Sequence, residues 1–251
     1  MYPPIDRAFW QTRYRRQAGW TAELRRYALC SSGLRHSSHL LEVGCGYGAL
    51  LENLRADGFE NLTGVDVDFP ALILLPSRCT ALCADGLGMP FPSASFDACL
   101  CHFYLLWAAH PIQALEEMMR VVRPGGWVFA LAEPDYSARV DEPPALAPLG
   151  GLQTRALLRQ GAHPFIGAHL AALFHTAGLT HRPAGEQRGG GDPDRALDRP
   201  AGTMVLASPV HAHLPQQWQT VLTRAPASAR MRSDRLHQHL GAALKVVEIA
   251  F

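Results

Sequence analysis

Short apolar runs alternate along the chain with segments in which apolar residues recur every three or four positions. A short apolar run suits a buried strand, whereas the three- or four-residue recurrence indicates a helix with one apolar face. The predicted strands cover residues 39–43, 62–65, 79–83, 96–101 and 127–132. Because strands that alternate with helices form a parallel sheet covered on both faces, the pattern predicts a doubly wound α/β fold.

Helical spacing fills most of the remaining chain. The predicted helices cover residues 20–33, 49–56, 70–76, 111–122, 152–160 and 166–177. Residues 140–151 are rich in proline and residues 185–202 are rich in glycine, proline and charge, so both are predicted to be loops. A further strand is predicted at 179–182 and a last one at 203–207 or 244–250, and the β-branched run in the second segment favours 244–250. The complete pattern predicts a mostly parallel sheet of seven strands.

The net charge of the chain points to no particular partner, because 23 Lys and Arg residues balance 22 Asp and Glu residues. The distribution is uneven. Residues 39–136 carry four basic and twelve acidic residues, while the segments on either side are basic. The acidic centre would suit a cationic ligand, although solvated helix faces account for most such charges in proteins.

Targeting and metal-binding signals are weak in this sequence. The start of the chain does not resemble a signal peptide, and the longest apolar-rich stretch, 98–109, is too short to cross a bilayer. We therefore expect a cytoplasmic protein, and the preference for arginine over lysine favours a bacterial genome rich in G and C. The six cysteines lack the spacing of a zinc site, so no metal is expected.

A glycine-rich turn follows the first predicted strand. Glycines at 44, 46 and 48 allow a backbone to approach a ligand closely at the start of the next helix. Residues 44–49 satisfy both G-x-G-x-x-G/A, the dinucleotide-binding pattern, and G-x-G-x-G. The turn alone therefore indicates a cofactor site without choosing the cofactor.

Acidic residues follow the next two predicted strands. Asp66 ends the second strand, where a carboxylate can accept hydrogen bonds from both hydroxyls of a ribose. Asp85 follows the third strand and offers an acceptor to an adenine amino group. Parallel strands end at one edge of the sheet, so these residues and the glycine turn are expected to share one ligand site.

These motifs, in this order, resemble the class I S-adenosylmethionine-dependent methyltransferases, in particular the small-molecule branch typified by the ubiquinone/menaquinone methyltransferases. The matching segments are Leu41-Glu42-Val43-Gly44-Cys45-Gly46-Tyr47-Gly48, Gly64-Val65-Asp66, Ala84-Asp85-Gly86, Met89-Pro90-Phe91 with Ser95-Phe96-Asp97, and Arg120-Val121-Val122-Arg123-Pro124-Gly125-Gly126. The resemblance implies a Rossmann-like fold and S-adenosylmethionine as cofactor. It divides the chain into a helical lid (1–38), a cofactor-binding core (39–136) and a variable acceptor-side region (137–251).

The resemblance also implies roles for individual residues. Those expected around the cofactor are Glu42, Gly44, Cys45, Gly46, Asp66, Val67, Asp85, Gly86 and His102. His102 and Tyr136 are candidates for a general base, should the acceptor need one. Tyr104, Trp107, Glu133 and Tyr136 are candidates for contact with the acceptor.

The function expected from this resemblance is methyl transfer to an O, N or C atom of a small organic molecule, with no nucleic-acid or membrane partner. Two alternatives remain open at the level of sequence. The glycine pattern also allows an NAD-dependent oxidoreductase. The divergent second half of the chain allows a cofactor-binding partner protein without catalysis.

Overall fold

A computed structural model describes residues 7–75, 78–141, 144–183 and 202–206. Its strands are β1 (His39–Val43), β2 (Asn61–Asp66), β3 (Thr80–Cys83), β4 (Phe96–His102), β5 (Val122–Leu131), β6 (Thr180–Pro183) and β7 (Gly202–Leu206). They lie side by side in the order β3-β2-β1-β4-β5-β7-β6, and every pair is parallel. The chain therefore crosses over at β1, which places the carboxyl ends of β1 and β4 side by side at the switch in strand order.

The alternation of side chains along the central strands explains why the sheet is covered on both faces. In β1, Leu41 belongs to one buried cluster, whereas Leu40 belongs to another. In β4, Cys99 and Leu100 divide between the same two clusters. Successive strand residues point to opposite faces, so two apolar cores form, and the predicted doubly wound α/β fold is confirmed.

The helices are α1 (Arg7–Trp20), α2 (Ala22–Ser31), α3 (Ala49–Ala56), α4 (Phe69–Leu72), α5 (Pro111–Val121), α6 (Ala147–Arg159) and α7 (Ile166–Thr176). The prediction of a loop over 140–151 was wrong in part, because a short 3-10 helix at Pro144–Leu146 leads directly into α6. Pro148 occupies the second position of α6, where proline costs little because the first turn of a helix makes no internal bond through its N–H groups. Among the described residues, no helix has the length and apolar character needed to cross a membrane.

Two regions differ from the sequence pattern near β5. The predicted turn at residues 123–126 bulges out within β5, since Phe96 pairs with Val122 but Ala98 pairs with Trp127. Beyond β5, β7 corresponds to the less favoured prediction of 203–207, and it lies between β5 and the edge strand β6. The favoured segment 244–250 lies outside the described residues, as does most of the loop predicted at 185–202.

Candidate functional site

The glycine turn between β1 and α3 adopts a backbone conformation that glycine favours. Gly44, Gly46 and Gly48 have φ angles of 73°, 47° and 75°. A side chain on Gly44 would also be obstructed, because its Cβ would lie 2.6 Å from Cδ2 of Tyr104. The close packing of Tyr104 against the turn therefore requires glycine at position 44.

Most N–H groups at the start of this turn already have partners within the protein. The backbone N–H groups of Gly44 and Cys45 donate to the carbonyl oxygen of Val65, at 2.8 and 3.1 Å. The N–H of Gly46 donates to Oδ2 of Asp66 at 2.7 Å. A dinucleotide pyrophosphate binds such turns through free N–H groups, so the turn is poorly suited to one.

Glu42, at the carboxyl end of β1, is a buried acid with an unused acceptor. Its residue is 3% exposed, and within the described part of the chain its Oε2 atom has no hydrogen-bond partner. Burial raises the pKa of this carboxyl well above its ordinary value, and the charge of Asp66 adds to the effect while Arg25 opposes it. An acceptor of this kind suits a cationic donor in the neighbouring cavity.

The other two predicted acids also stand at strand ends. Asp66 accepts the N–H of Asp68 through Oδ1 at 2.8 Å, in addition to its bond from the glycine turn. These two bonds fix the orientation of the carboxylate. Asp85 is exposed after β3 and accepts the N–H of Leu87 through Oδ1 at 2.9 Å.

A cavity of about 680 Å³ lies over these strand ends, within the range of ligand pockets. It is lined by every residue predicted to surround the cofactor, namely Glu42, Gly44, Cys45, Gly46, Asp66, Val67, Asp85, Gly86 and His102. Tyr104, Trp107 and Tyr136 line it as well. Glu133 does not belong to the lining.

The structure contradicts the predicted contact between Glu133 and an acceptor. The side chain is fully buried behind the segment that follows β4, where it accepts the backbone N–H groups of Tyr104, Leu105 and Leu106 at 2.9, 2.9 and 3.0 Å. The sequence motif does not reveal this role because the two segments are adjacent only in the folded sheet. Glu133 instead fixes the backbone of one wall of the cavity.

Tyr104 lies beside two of the glycines expected at the cofactor. Its ring packs against Gly44, and its hydroxyl contacts the position that a side chain on Gly86 would occupy. Both glycines belong to the expected cofactor residues. Tyr104 therefore packs against the expected cofactor residues, while Trp107 lies at the cavity wall with 49% of its surface exposed.

The two candidate bases both lie at the cavity, but their surroundings keep them neutral. The Nε2 atom of His102 lies 3.0 Å from the hydroxyl of Thr21, and burial, with the charge of Arg25, lowers the pKa of His102 to about 3. The hydroxyl of Tyr136 accepts a bond from Gln153, and burial raises the pKa of this phenol. Proton transfer is most efficient when the pKa lies near the working pH, so neither group is a strong base at neutral pH.

The N-terminal helix contributes a wall that the sequence motifs do not include. Trp10, Arg13, Tyr14 and Gln17 line the cavity. Their spacing of three and four residues places them on one side of α1, and this spacing was the available sequence signal. A salt bridge of 2.9 Å between Arg15 and Glu52 ties α1 to α3.

Arg25 was also missed. It is fully buried at 0% exposure, its Nη1 donates to the carbonyl of Ala18, and its Nη2 lies 3.5 Å from Asp57. Burial lowers the pKa of Arg25, and the charge of Asp57 opposes this shift. Among the described residues, no cluster of three or more His, Cys, Asp or Glu side chains could hold a metal ion.

Residues 41–130, which include the glycine turn and all three acids, match the methyltransferase domain family. The chain contains a class I S-adenosylmethionine-dependent methyltransferase domain. Its sheet agrees with that assignment. A protein described as a methyltransferase from an antibiotic biosynthesis pathway of Anabaena variabilis has a similar fold, with a TM-score of 0.52 and 14% identity over 62% of this chain and 61% of that protein.

Curated relatives match part of this chain. The malonyl-[acyl-carrier protein] O-methyltransferase of Erwinia billingiae is 34% identical over 38% of this chain and 39% of its own length. The ubiquinone/menaquinone biosynthesis C-methyltransferase of Bdellovibrio bacteriovorus is 32% identical over 45% of this chain and 49% of its own length. The chain thus spans less than half the length of these relatives, and their similar identities do not single out the ubiquinone/menaquinone branch.

The residues of the cavity fit S-adenosylmethionine, the cofactor of this domain type. Its methionine end carries an ammonium group, for which the unpartnered Oε2 of Glu42 is a suitable acceptor. Asp66 and Asp85 line the cavity at the adjoining strand ends, where their carboxylates would be acceptors for the ribose and adenine. By contrast, NAD brings an anionic pyrophosphate to a turn whose N–H groups are already bonded, and the oxidoreductase alternative has no support.

Proposed function

We propose that this protein transfers a methyl group from S-adenosylmethionine to a small organic molecule. The observation that carries the proposal is a single cavity that combines carboxylates at the ends of β1, β2 and β3 with aromatic and polar side chains from other elements. We call the part beside the strand-end carboxylates the cofactor half, and the part beside Trp107, Tyr136 and Gln153 the acceptor half. The second part would leave space for an acceptor next to the cofactor.

The cofactor supplies an electrophilic methyl carbon bound to a sulfonium sulfur. A nucleophile of the acceptor displaces the sulfur in line, so the protein contributes chiefly by positioning the two molecules and by excluding water. In this chain, Asp66 and Glu42 would hold the cofactor, and the wall fixed by Glu133 would orient the acceptor. The neutral His102 and Tyr136 would position groups rather than remove a proton.

The weak basicity of His102 and Tyr136, the two candidate bases, bears on the acceptor atom. A carboxylate oxygen, a neutral amine or a stabilised carbanion attacks without a protein base, whereas an alcohol needs its proton removed. The name of the malonyl-[acyl-carrier protein] relative specifies an O-methyltransferase. We favour an acceptor atom that carries no proton at neutral pH, of which a carboxylate oxygen is the simplest example.

Calorimetric titration tests the cofactor half of this proposal. S-adenosylhomocysteine should bind the wild-type protein, and Asp66→Asn should weaken binding by about tenfold to a hundredfold, because hydrogen bonds to a charged acceptor contribute about 1.5–3 kcal/mol. Asp68→Asn is the matched control, since this residue lies outside the cavity lining and asparagine can still cap α4. Failure of the wild-type protein to bind the nucleoside would refute the proposal.

Transfer itself is tested by incubating small-molecule extracts with the protein and methyl-labelled cofactor, followed by mass spectrometry. A labelled product that appears with the wild-type protein and decreases with Asp66→Asn is the expected result. Binding of the cofactor without a labelled product in any extract would instead support a non-catalytic protein.

A further inference from the structure

One face of α1 lines the cavity. The ring of Tyr14 lies over the glycine turn, 3.5 Å from the position of a Cβ atom on Gly46. The preceding residue, Arg13, lines the same cavity as Tyr136. Burial raises the pKa of both the Tyr14 and the Tyr136 phenols, and the charge of Arg13 opposes both shifts. The cation of Arg13 therefore acts within the cavity that holds both phenols.

Arg13 is the permanent cation of the cavity wall. Among the described residues that line the cavity, Arg13 is the one arginine, and there is no lysine. Arg13 is half-buried and forms no salt bridge with another described residue, whereas Arg15 pairs with Glu52 and Arg139 pairs with Asp141. A partly desolvated cation without a counter-ion attracts an anionic ligand more strongly than an exposed one does.

The surroundings of Arg13 are aromatic. Its Cζ atom lies 5.8 Å from the ring centroid of Trp10. Trp107 and Tyr136 also line the cavity, and Gln153 adds an amide that donates to the Tyr136 hydroxyl. Flat apolar faces with a few polar groups suit a planar organic molecule, because stacked aromatic rings bury large areas at low entropic cost.

We propose that Arg13 binds an anionic group of the methyl acceptor, and that the acceptor is a planar aromatic carboxylate. This inference rests on the proposed function and narrows its substrate class. A guanidinium presents two parallel N–H groups that match both oxygens of a carboxylate. The aromatic side chains beside Arg13 would then cover the ring that carries this group.

The methionine end of the cofactor also carries a carboxylate, and it is the main competitor for Arg13. The aromatic lining beside Arg13 favours the acceptor. Tyr14, rather than Arg13, covers the glycine turn, near which the methionine end of the cofactor is expected. Arg13, Tyr136 and Trp107 line one cavity, so an aromatic carboxylate bound there would have both the cation and the aromatic faces available.

Paired probes of equal shape and different charge test the proposal. Benzoate and benzamide are titrated into the protein saturated with S-adenosylhomocysteine, with binding followed by calorimetry or ligand-observed NMR. Benzoate should bind the wild-type protein at least about tenfold more tightly than benzamide, the ratio expected for a charge-assisted pair. In Arg13→Gln this ratio should fall to about one, while the affinity for S-adenosylhomocysteine should stay within about twofold of wild type.

Arg16→Gln is the matched control, because Arg16 is exposed on the same helix and does not line the cavity. It should keep the wild-type preference for benzoate. Equal binding of the two probes to wild type, no binding of either, or a preference that survives Arg13→Gln would each overturn the proposal. Selective loss of S-adenosylhomocysteine affinity in Arg13→Gln would also overturn it, by assigning Arg13 to the cofactor.

The same titrations separate this inference from the proposed function. If S-adenosylhomocysteine fails to bind wild type, the proposed function fails. The two probes can still be compared on the protein alone. If the nucleoside binds normally and the probes are not distinguished, only the assignment of Arg13 fails.

Discussion

Replacement of Glu133 by glutamine should change how the stability of the protein depends on pH. The carboxyl is fully buried and accepts three consecutive backbone N–H groups. Burial nevertheless dominates and raises the pKa of Glu133 from 4.5 to about 7. Glutamine has nearly the same shape, keeps one oxygen acceptor, and does not ionise.

The size and sign of the effect follow from this pKa. The folded protein binds the Glu133 proton more tightly than the unfolded chain does, so this group stabilises the fold most at low pH. Its contribution to the free energy of unfolding should fall by about 3 kcal/mol as the pH rises from the ordinary carboxyl range through 7. Near pH 5, where the Glu133 carboxyl is protonated in the folded protein, Glu133→Gln should be less stable than wild type by about 1–3 kcal/mol, because the amide nitrogen, unlike the hydroxyl oxygen of the acid, cannot accept an N–H group.

Urea unfolding at half-unit steps from pH 5 to pH 8 provides the measurement. The free energy of unfolding of wild type minus that of Glu133→Gln should fall by about 2.5 kcal/mol across this range, so that the variant equals or exceeds wild type in stability near pH 8 if its cost at pH 5 is no larger than that. Subtracting the free energy of unfolding of the variant from that of wild type at each pH removes the contributions of the groups that titrate equally in both proteins. Glu60→Gln, an exposed carboxyl on the surface, should leave the pH dependence unchanged, and parallel curves for wild type and Glu133→Gln would refute the reasoning.

Three further changes test other parts of the site. Gly44→Ala should lower both stability and cofactor affinity, whereas Gly33→Ala, with the same φ of 73° but open space around it, should cost only the backbone strain of about 1–2 kcal/mol in thermal unfolding. Asp57→Asn should destabilise the fold by about 3–5 kcal/mol because it leaves the buried Arg25 without a counter-ion, a result that chemical denaturation can check. Since the pKa of His102 is lowered to about 3, this group should destabilise the fold as the pH falls below about 6.5, and His102→Gln should reduce that acid sensitivity in unfolding curves.

The core of the fold was predictable because each of its strands can be recognised from a short stretch of sequence. Strands such as β1 and β4 are buried on both faces, so they appear in the sequence as short continuous apolar runs. The start of α6 was not predictable in this way. Pro148 and its neighbours have the composition of a loop, and only the tolerance of a first helical turn for proline allows a helix there.

In the candidate site as well, residues could be placed from a short stretch of sequence only where their position depends on nothing outside it. Asp66 and Gly44 could be placed from spacing, because each sits at the end of a strand that the sequence pattern already locates. Glu133 also follows a strand, yet its partners are backbone N–H groups of a segment 27 to 29 residues earlier. Which way such a side chain points depends on the packing of two neighbouring strands, and no short sequence window contains both.

The distribution of charge around the cavity indicates which elements set specificity. The carboxylates at the strand ends suit a cofactor that carries positive charge, and substitutions there should affect all acceptors equally. Arg13 lies on α1, and Gln153 lies on α6, outside the segment shared with the methyltransferase domain family. Because these two helices supply the cation and the amide of the acceptor half, changes of acceptor should map to them and leave cofactor affinity intact.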